Sequence, residues 1–329
     1  MDNVIEIDNL CRSFKVQQRD ENFLRYLFHR KYTTVEAVKN LSLSVKPGEL
    51  VGFIGPNGAG KSTAIKMMTG IIVPTSGDIT LLGKVPYKNR KENAFHIGVL
   101  FGQRSQLWWD LPVVDTFRLL KRIYRIPENV YKENLKKYSE VLGLNEFINQ
   151  PVRQLSLGQR MRADMCASLL HNPEILFLDE PTIGLDVVVK KQIRDMIREI
   201  NQERGTTVIL TTHDMKDIEE ICQRIVMIDK GHIVIDKPVE EIKHTFRGNN
   251  VIRFVLNTTP DVIVLEDVEK IDINSDGNII VSYDMRKTSS AKIISEISSK
   301  YEIVDLSIKE TEIDDIIRNL YIQNSENNM

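Results

Sequence analysis

The sequence of 329 residues has little cysteine and almost no net charge. Its three cysteines, Cys11, Cys166 and Cys222, show no CxxC spacing, which argues against a disulfide framework and a cysteine metal site and favours reduced packing residues. Lysine and arginine number 44 against 46 aspartates and glutamates, so the chain has no global basic field for binding nucleic acid. We therefore expect no nucleic-acid partner.

Long apolar runs are also missing. No stretch approaches the ~18 apolar residues that are needed to cross a bilayer, and the acidic start, Met1–Glu6, does not resemble a signal peptide. Hydrophobic residues make up 42% of the chain and charged residues 27%, which is typical of a globular protein with a real core. Any role in a membrane process is expected to require docking on another chain.

Strand patterns alternate with helical patterns up to about residue 240. Short apolar runs bounded by polar turns predict buried strands, and longer amphipathic runs predict helices between them. This order predicts an α/β fold with a mostly parallel sheet that is covered by helices. The strands are predicted at Val51–Ile54, Ile175–Leu178 and Thr207–Leu210, and the helices at Lys61–Met68 and Val187–Glu203.

Residues from about 104 to 172 break this alternation, because three consecutive segments have a helical pattern. They are predicted at Asp115–Tyr124, Asn129–Leu142 and Leu157–Leu170. We interpret this stretch as a helical subdomain that is inserted into the sheet domain.

The pattern of predicted strands and helices changes again after about residue 247, where Arg247–Asn250 is predicted to be a linker. The boundaries are therefore set at 1–246 for the main domain and 247–329 for a small α+β accessory domain. The accessory domain holds two alternating strand patterns and two helical patterns. They lie at Val251–Leu256, Ile279–Tyr283, Ser289–Ser299 and Thr311–Leu320.

The run Gly55–Ser62, Gly-Pro-Asn-Gly-Ala-Gly-Lys-Ser, fits the phosphate-loop pattern G-x-x-x-x-G-K-[ST] in full. A predicted strand precedes it and a predicted helix follows it, as the pattern requires. Backbone N–H groups of such a loop surround phosphates, and the helix start adds the positive end of its dipole. We expect Lys61 to reach the β- and γ-phosphates of a nucleotide and the Ser62 hydroxyl to bind Mg²⁺.

Two carboxylates follow the apolar run Ile175–Leu178. Because ligands bind at the carboxyl ends of strands in open α/β sheets, Asp179 and Glu180 are expected beside the phosphate loop. Asp179 is predicted to hold the Mg²⁺ shell and Glu180 to polarise the attacking water as a general base. An Asp-Glu pair alone is a moderate signal, since solvated acids at a strand end are common.

The run Leu155–Gln159, Leu-Ser-Leu-Gly-Gln, narrows the class of P-loop protein. It resembles the signature motif of ATP-binding-cassette (ABC) ATPases, and other motifs of that family occur in family order. Gln103 stands at the Q-loop position, Pro181–Asp186 resembles the D-loop, and His213 resembles the switch histidine. The resemblance covers residues 1 to about 245, and the signature usually has glycine where this chain has Leu157.

This resemblance implies a P-loop ABC ATPase cassette with an antiparallel β subdomain, and two copies that enclose ATP head to tail. Ser156 and the Gly158 N–H would contact the γ-phosphate across the interface, which agrees with a helix N-terminus as an anion site. The implied catalytic residues are Glu180, His213 and Lys61, and the implied metal contacts are Ser62, Gln103 and Asp179. The implied ATP contacts are Phe14, Gly55, Asn57, Gly58, Gly60, Lys61, Ser62, Thr63, Gln103, Ser156, Gly158, Gln159 and Asp186.

Three features leave alternatives open. Phe14 either stacks on adenine, as in the family, or fills the core. Trp108 and Trp109, the two tryptophans of the chain, either dock a membrane subunit or fill the helical subdomain. The insertion Arg19–Tyr32 either contacts the membrane partner or lipid head groups, or packs on the cassette as a local helix.

The insertion, the run Gln103–Pro112 and the accessory domain together resemble bacterial ATPases of ABC-2-type exporters. The resemblance implies separate ABC-2-type permease subunits as partners, a homodimer, since every motif is intact, and a peripheral place at the cytoplasmic face of the membrane. An ATP-driven switch on ribosomes or DNA is the alternative function, and a small-molecule kinase leaves Ser156, Gly158 and His213 unexplained. The transported substrate is not encoded in these motifs.

Overall fold

The structure is a computed structural model and describes residues 2–17, 32–102, 105–246, 249–258, 263–274 and 277–310. Gln103, the predicted helix over 311–320 and nearly all of the Arg19–Tyr32 insertion therefore lie outside the described residues. The chain divides into two compact units, Met1–Pro238 and Val239–Met329. The composition of the linker predicts a boundary at 246/247. The division between the two compact units lies one short helix earlier, after Pro238.

The described residues of the first unit form two sheets. In chain order their strands are β1 (Ile5–Gln17), β2 (Tyr32–Val45), β3 (Leu50–Ile54), β4 (Ser76–Leu81), β5 (Ile97–Phe101), β6 (Ile175–Asp179), β7 (Thr207–Thr211), β8 (Arg224–Asp229) and β9 (His232–Pro238). The sheet β2-β1-β4 is antiparallel. The larger sheet has the order β5-β6-β7-β3-β8-β9, and only its edge strand β9 is antiparallel.

The larger sheet explains the continuous apolar runs of the sequence. Every residue of β3 and β7 is buried, as expected for parallel strands that are covered on both faces. The register pairs Phe101 with Asp179 and Asp179 with Thr211. The carboxyl ends of β5, β6 and β7 therefore lie at one level, and the loops that follow them meet at one edge.

Helices of the first unit follow local start signals. The helix that begins at Ser156 has a capping box, and the two helices after Pro112 and Pro127 begin directly behind a proline. In chain order they are α1 (Lys61–Met68), α2 (Arg90–Asn93), α3 (Val113–Ile123), α4 (Glu128–Val141), α5 (Leu157–Leu169), α6 (Val187–Arg204) and α7 (Met215–Ile221). The predicted helices over these regions agree to within two residues at each end.

The segment with α3, α4 and α5 lies between β5 and β6, which are hydrogen-bonded neighbours in the sheet. It also holds short 3₁₀ turns at Leu144–Glu146 and Val152–Gln154. Buried side chains such as Phe117, Tyr138 and Phe147 supply its own apolar core. The helical segment is thus an insertion between two paired strands.

The second unit contains helices α8 (Val239–Phe246) and α9 (Ser290–Lys300) and strands β10 (Asn249–Leu256), β11 (Lys270–Ile273), β12 (Ile279–Asp284) and β13 (Ile303–Glu310). Its strands form an antiparallel sheet in the order β11-β12-β10-β13. Ile293 and Ile297 of α9 belong to the same buried cluster as Phe254 and Tyr283 of the sheet. Ser289 caps α9 through the Lys292 N–H.

Among the described residues, none of the helices is both long and apolar enough to cross a bilayer.

Candidate functional site

Two glycines of the loop between β3 and α1, Gly55 and Gly60, leave no room for a side chain. Gly55 has φ 155° and Gly60 has φ 110°, both in the positive region that glycine adopts readily. A Cβ on Gly55 would lie 2.2 Å from the carbonyl oxygen of Ile228, and one on Gly60 would lie 2.3 Å from that of Ala37. Side chains at these two positions would collide with neighbouring backbone oxygens, so this loop conformation requires glycine at both.

Lys61, the first residue of α1, extends its ammonium group back along this loop. Its Nζ donates hydrogen bonds to the carbonyl oxygens of Gly55 and Pro56, the second at 3.1 Å. The residue is only 8% exposed. Burial lowers the pKa of the Lys61 ammonium, and the carboxylates of Glu180 and Asp179 oppose that shift. The charge is thus held between the loop carbonyls and two acids.

Asp179, at the end of β6, joins three elements of the sheet edge. Its Oδ2 accepts a hydrogen bond from Ser62 Oγ at 3.2 Å, and its Oδ1 accepts one from Thr211 Oγ1 at 2.6 Å. The register that pairs Asp179 with Thr211 makes the second contact possible. The predicted proximity of Asp179 to the phosphate loop is present in the structure.

Glu180 follows with a strained backbone. Its φ is 56°, a left-handed conformation that is uncommon for a residue with a side chain. Its N–H donates to the carbonyl oxygen of Thr211 at 3.0 Å and contacts Thr211 Oγ1 at 3.2 Å. Its Oε1 lies 2.8 Å from His213 Nε2. The turn therefore directs the carboxylate to the histidine, and such a pair can accept a proton from a water molecule.

The loop and the edge suit a nucleotide phosphate with a divalent cation. At Gly58 the position of a Cβ has no atom within 4 Å, so the loop leaves open space beside its backbone. A hydroxyl and a carboxylate oxygen, those of Ser62 and Asp179, are ligands of the kind that Mg²⁺ takes from proteins. Asn57 is exposed in the loop, and Thr63 is half-buried in α1.

Ser156 begins α5 with a reciprocal pair of hydrogen bonds. The Gln159 N–H donates to Ser156 Oγ at 3.2 Å, and the Ser156 N–H donates to Gln159 Oε1 at 2.9 Å. This capping box fixes both predicted contact residues at the helix start, where Gly158 also lies. A helix N-terminus with a hydroxyl can hold an anion.

Comparison with known proteins agrees with this geometry. Residues 38–183 match the family described as ABC transporter. The bacitracin transport ATP-binding protein BcrA of Bacillus licheniformis is 31% identical over 77% of this chain and 82% of its own length. This chain belongs to the ABC transporter family of ATP-binding subunits.

Other relatives differ in how far the match extends. An uncharacterized ABC transporter ATP-binding protein of Bacillus subtilis, YhcH, is 35% identical over 60% of this cassette chain, which spans 63% of that relative. The methionine import ATP-binding protein MetN 2 of Enterococcus faecalis is 31% identical over 90% of the chain and 88% of its own length. The family match therefore extends well beyond the motifs.

A solved structure adds the reaction. The dimeric post-hydrolysis structure of the cassette MJ0796, with ADP and Pi, is 25% identical and has a TM-score of 0.61 over 71% of this chain and 98% of that one. The present chain is accordingly an ABC cassette that binds and hydrolyses ATP as the ATP-binding subunit of a transporter. Cassettes of this family form dimers and work with membrane subunits.

A buried hydrogen-bond network around Asp217 holds the D-loop of this cassette. Asp217 is fully buried and accepts hydrogen bonds from Thr182 Oγ1 at 2.7 Å, Thr212 Oγ1 at 2.8 Å and Arg194 Nη1 at 3.0 Å. Thr182 belongs to the D-loop and Thr212 precedes His213. Asp186, predicted to touch nucleotide, accepts from the Val189 N–H at 2.9 Å and caps α6.

Leu157 replaces the usual signature glycine and lies beside the D-loop of the same chain. A Cβ on Gly184, which has φ 71°, would be 2.8 Å from Leu157 Cδ2. A Cβ on Gly158 would be 3.2 Å from Leu185 Cδ2. The larger side chain is thus accommodated because Gly184 has none, and Leu157 keeps 47% exposure.

The two open alternatives for aromatic residues are now constrained. Phe14 is half-buried in β1 with the Arg12 guanidinium 4.5 Å from its ring centroid, so it is not a core residue. Trp108 is 42% exposed and Trp109 is 54% exposed, so the two indoles do not fill the helical core. Gln103, which precedes them in the sequence, lies outside the described residues.

Two residues of the site, Thr211 and Asp217, had no role predicted from the sequence. Thr211 orients Asp179 and Glu180 together, and Asp217 joins the D-loop to the residue before His213. For Thr211 the sequence offers a signal, because Thr211 opens the Thr-Thr-His-Asp run, residues 211–214, that contains His213. Asp217 has no motif, because its role depends on Arg194 and Thr182, which are distant in the sequence.

Proposed function

We propose that two identical copies of this cassette enclose two ATP molecules and power separate ABC-2-type permease subunits for export, at the cytoplasmic face of the membrane. The observation that carries the proposal is the Glu180–His213 pair, 2.8 Å apart, beside the loop that holds Lys61. Residues suited to proton transfer therefore lie next to residues suited to phosphate binding. The dimer follows because Ser156 and Gly158 would complete the site of the other copy.

In the proposed reaction, Glu180 accepts a proton as water attacks the γ-phosphorus, and the bond between that phosphorus and ADP breaks. His213 holds the Glu180 carboxylate and contacts the γ-phosphate. Lys61 and the loop N–H groups stabilise the charge on the phosphate oxygens. Mg²⁺, when bound through Ser62 and Asp179, would neutralise phosphate charge.

The remaining nucleotide contacts are proposed from the motif positions. They are Phe14 on adenine, the loop and first-turn residues Gly55, Asn57, Gly58, Gly60 and Thr63, and the residues Ser156, Gly158, Gln159 and Asp186 toward the other copy. Gln103 is proposed as a contact of Mg²⁺ or water on its sequence position alone. The half-buried Phe14 and the open space at Gly58 support these assignments.

ATP-dependent dimerisation tests the proposal directly. With Mg²⁺ and ATP, the hydrolysis-deficient variant Glu180→Gln should elute as a dimer in size-exclusion chromatography with light scattering, because the γ-phosphate binds donors of both copies. With ADP the same variant should elute as a monomer. A monomer in the presence of saturating ATP would overturn the enclosed-nucleotide mechanism.

Docking of the permease is proposed at the exposed tryptophans. Aromatic side chains are enriched at the centres of protein interfaces, and Trp108 and Trp109 leave about half of their surfaces exposed. The direction of transport is proposed from the resemblance of the run Gln103–Pro112 and the accessory domain to exporters. The named relatives include both a bacitracin transport protein and a methionine import protein.

We expect Trp109→Ala to weaken binding of the permease at least about tenfold, while ATP hydrolysis by the cassette alone is unchanged. Affinity can be measured by titrating the cassette onto the detergent-solubilised permease. Ile71→Ala is the matched control, because Ile71 is also apolar and 52% exposed but is distant in the sequence from the tryptophans. Equal affinity of Trp109→Ala and wild type would remove the docking assignment.

A further inference from the structure

One buried carboxylate of the helical segment has no part in the proposed chemistry. Asp164 lies in the middle of α5 and is 4% exposed. An acid is rarely buried to this extent unless it is paired or hydrogen-bonded. Its partners therefore show what its burial accomplishes.

The partners lie in the residues 105–111, here called the tryptophan segment. Asp164 Oδ1 accepts hydrogen bonds from Ser105 Oγ at 3.0 Å and from the Gln106 N–H at 2.9 Å. Gln106 Nε2 donates in turn to the backbone oxygen of Asp164 at 3.0 Å. Ser105 Oγ also accepts from the Leu107 N–H at 3.1 Å. One side chain of α5 thus fixes the first three residues of the segment.

Further contacts join the same two parts of the chain. The Arg160 guanidinium, one turn before Asp164 on α5, lies 5.9 Å from the Trp109 ring centroid. The Arg153 N–H donates to the Trp109 carbonyl at 3.0 Å, and the Val152 N–H donates to that of Leu111 at 3.1 Å. The tryptophan segment is therefore attached along its length to α5 and to the residues just before Ser156.

The hydrogen bonds to Asp164 differ from these other contacts because the Asp164 side chain is buried. Arg153 also forms an ion pair with Asp110 at 2.9 Å, but both side chains are more than half exposed, and such pairs contribute little. Burial raises the pKa of Asp164 to about 6, while the bonds from Ser105 and Gln106 and the charge of Arg160 oppose the rise. A charged Asp164 therefore depends on the donors of the tryptophan segment.

We propose that Asp164 is a positioning residue that fixes the tryptophan segment to the helix beginning at Ser156, so that a partner on the tryptophans and a nucleotide at Ser156 act on one rigid body. This inference rests on the proposed roles of both sites. It assigns a function to a residue outside the nucleotide motifs. Removal of the Asp164 acceptor should release the segment without unfolding the α5 helix.

The chain carries its own reporter for this test, because Trp108 and Trp109 are its two tryptophans. Intrinsic fluorescence of the 329-residue chain therefore reports on the segment. Asp164→Val removes the acceptor at similar side-chain size, and the acrylamide quenching constant should rise by about half as the segment becomes mobile and its half-exposed indoles become more accessible. Asp164→Asn keeps an Oδ1 acceptor for both donors and should restore the wild-type value.

Two further variants complete the test of Asp164→Val and Asp164→Asn: a matched control and a milder substitution. Asp195→Val makes the same change at an exposed position of α6 and should leave quenching unchanged. Ser105→Ala removes one donor and should give an intermediate rise, which keeps the test valid if Asp164→Val does not fold. Wild-type quenching in folded Asp164→Val, or in Ser105→Ala where that variant alone folds, would overturn the proposal.

A second measurement tests the coupling to nucleotide. In the Glu180→Gln background, Mg²⁺ and ATP should change the tryptophan emission, and adding Asp164→Val should abolish the change while equilibrium dialysis shows unchanged ATP affinity. An unchanged response in the double variant would also overturn the inference. Failure of Glu180→Gln to bind ATP would instead count against the proposed nucleotide site, and the nucleotide-free quenching would still decide the role of Asp164.

Discussion

Glu180→Gln should lower the rate of ATP hydrolysis about a thousandfold, within the usual contribution of a general base. The substitution keeps the shape of the side chain, and the amide oxygen can still accept from His213 Nε2, which lies 2.8 Å from Glu180 Oε1. It removes only the ability to accept a proton from water. The binding of ATP should therefore remain near the wild-type affinity while the chemical step becomes about a thousandfold slower.

Steady-state release of phosphate measures this effect, with ATP affinity followed in parallel. Glu219→Gln is the matched control, because Glu219 is an exposed carboxylate on α7, the next helix after His213. It should retain wild-type turnover. If Glu180→Gln kept a tenth or more of the wild-type rate, proton transfer would have to be assigned to another group.

Asp217→Ala should lower the free energy of unfolding by about 3–5 kcal/mol, the cost of removing one partner from a buried ion pair. The Arg194 side chain is 6% exposed and that of Asp217 is 0% exposed. The hydroxyls of Thr182 and Thr212 would also lose their acceptor. The Glu220 carboxylate, 3.0 Å from Arg194 Nε, keeps the loss toward the lower end of that range.

Chemical denaturation of the wild type and of Asp217→Ala measures this loss in the free energy of unfolding. Asp195→Ala is the control on α6, next to Arg194, because Asp195 also pairs with an arginine, Arg198, but on the surface. It should cost less than about 1 kcal/mol. Equal stability of the two variants would show that the buried network around Asp217 does not stabilise the fold.

Local signals in the sequence predicted some parts of this molecule well. The helix Lys61–Met68 was predicted with its observed ends, because a glycine loop and an amphipathic run define it. Helix α6 differs from its prediction by one residue, since Asp186 caps its start and Gly205, at φ 66°, ends it. Such features depend on neighbours within a few residues.

Other parts depend on contacts that no short run of sequence encodes. Strand β1 pairs with β2 and β4 across register shifts and exposes much of its length, so only the family resemblance predicts an antiparallel subdomain. The left-handed backbone of Glu180 follows from its bonds to Thr211 on another strand. Asp164 likewise shows its role only when residues 105–107 are folded against it.

The insertion of the helical segment between paired strands has a consequence for how such subunits diversify. Phe101 and Asp179 are register partners although more than seventy residues separate them in the chain. Lengthening, shortening or replacing α3 and α4 within that stretch leaves the alignment of the two strands intact, and with it the carboxylate beside Ser62. Selection for a new membrane partner can therefore alter α3 and α4 while the residues that bind and hydrolyse ATP are inherited unchanged.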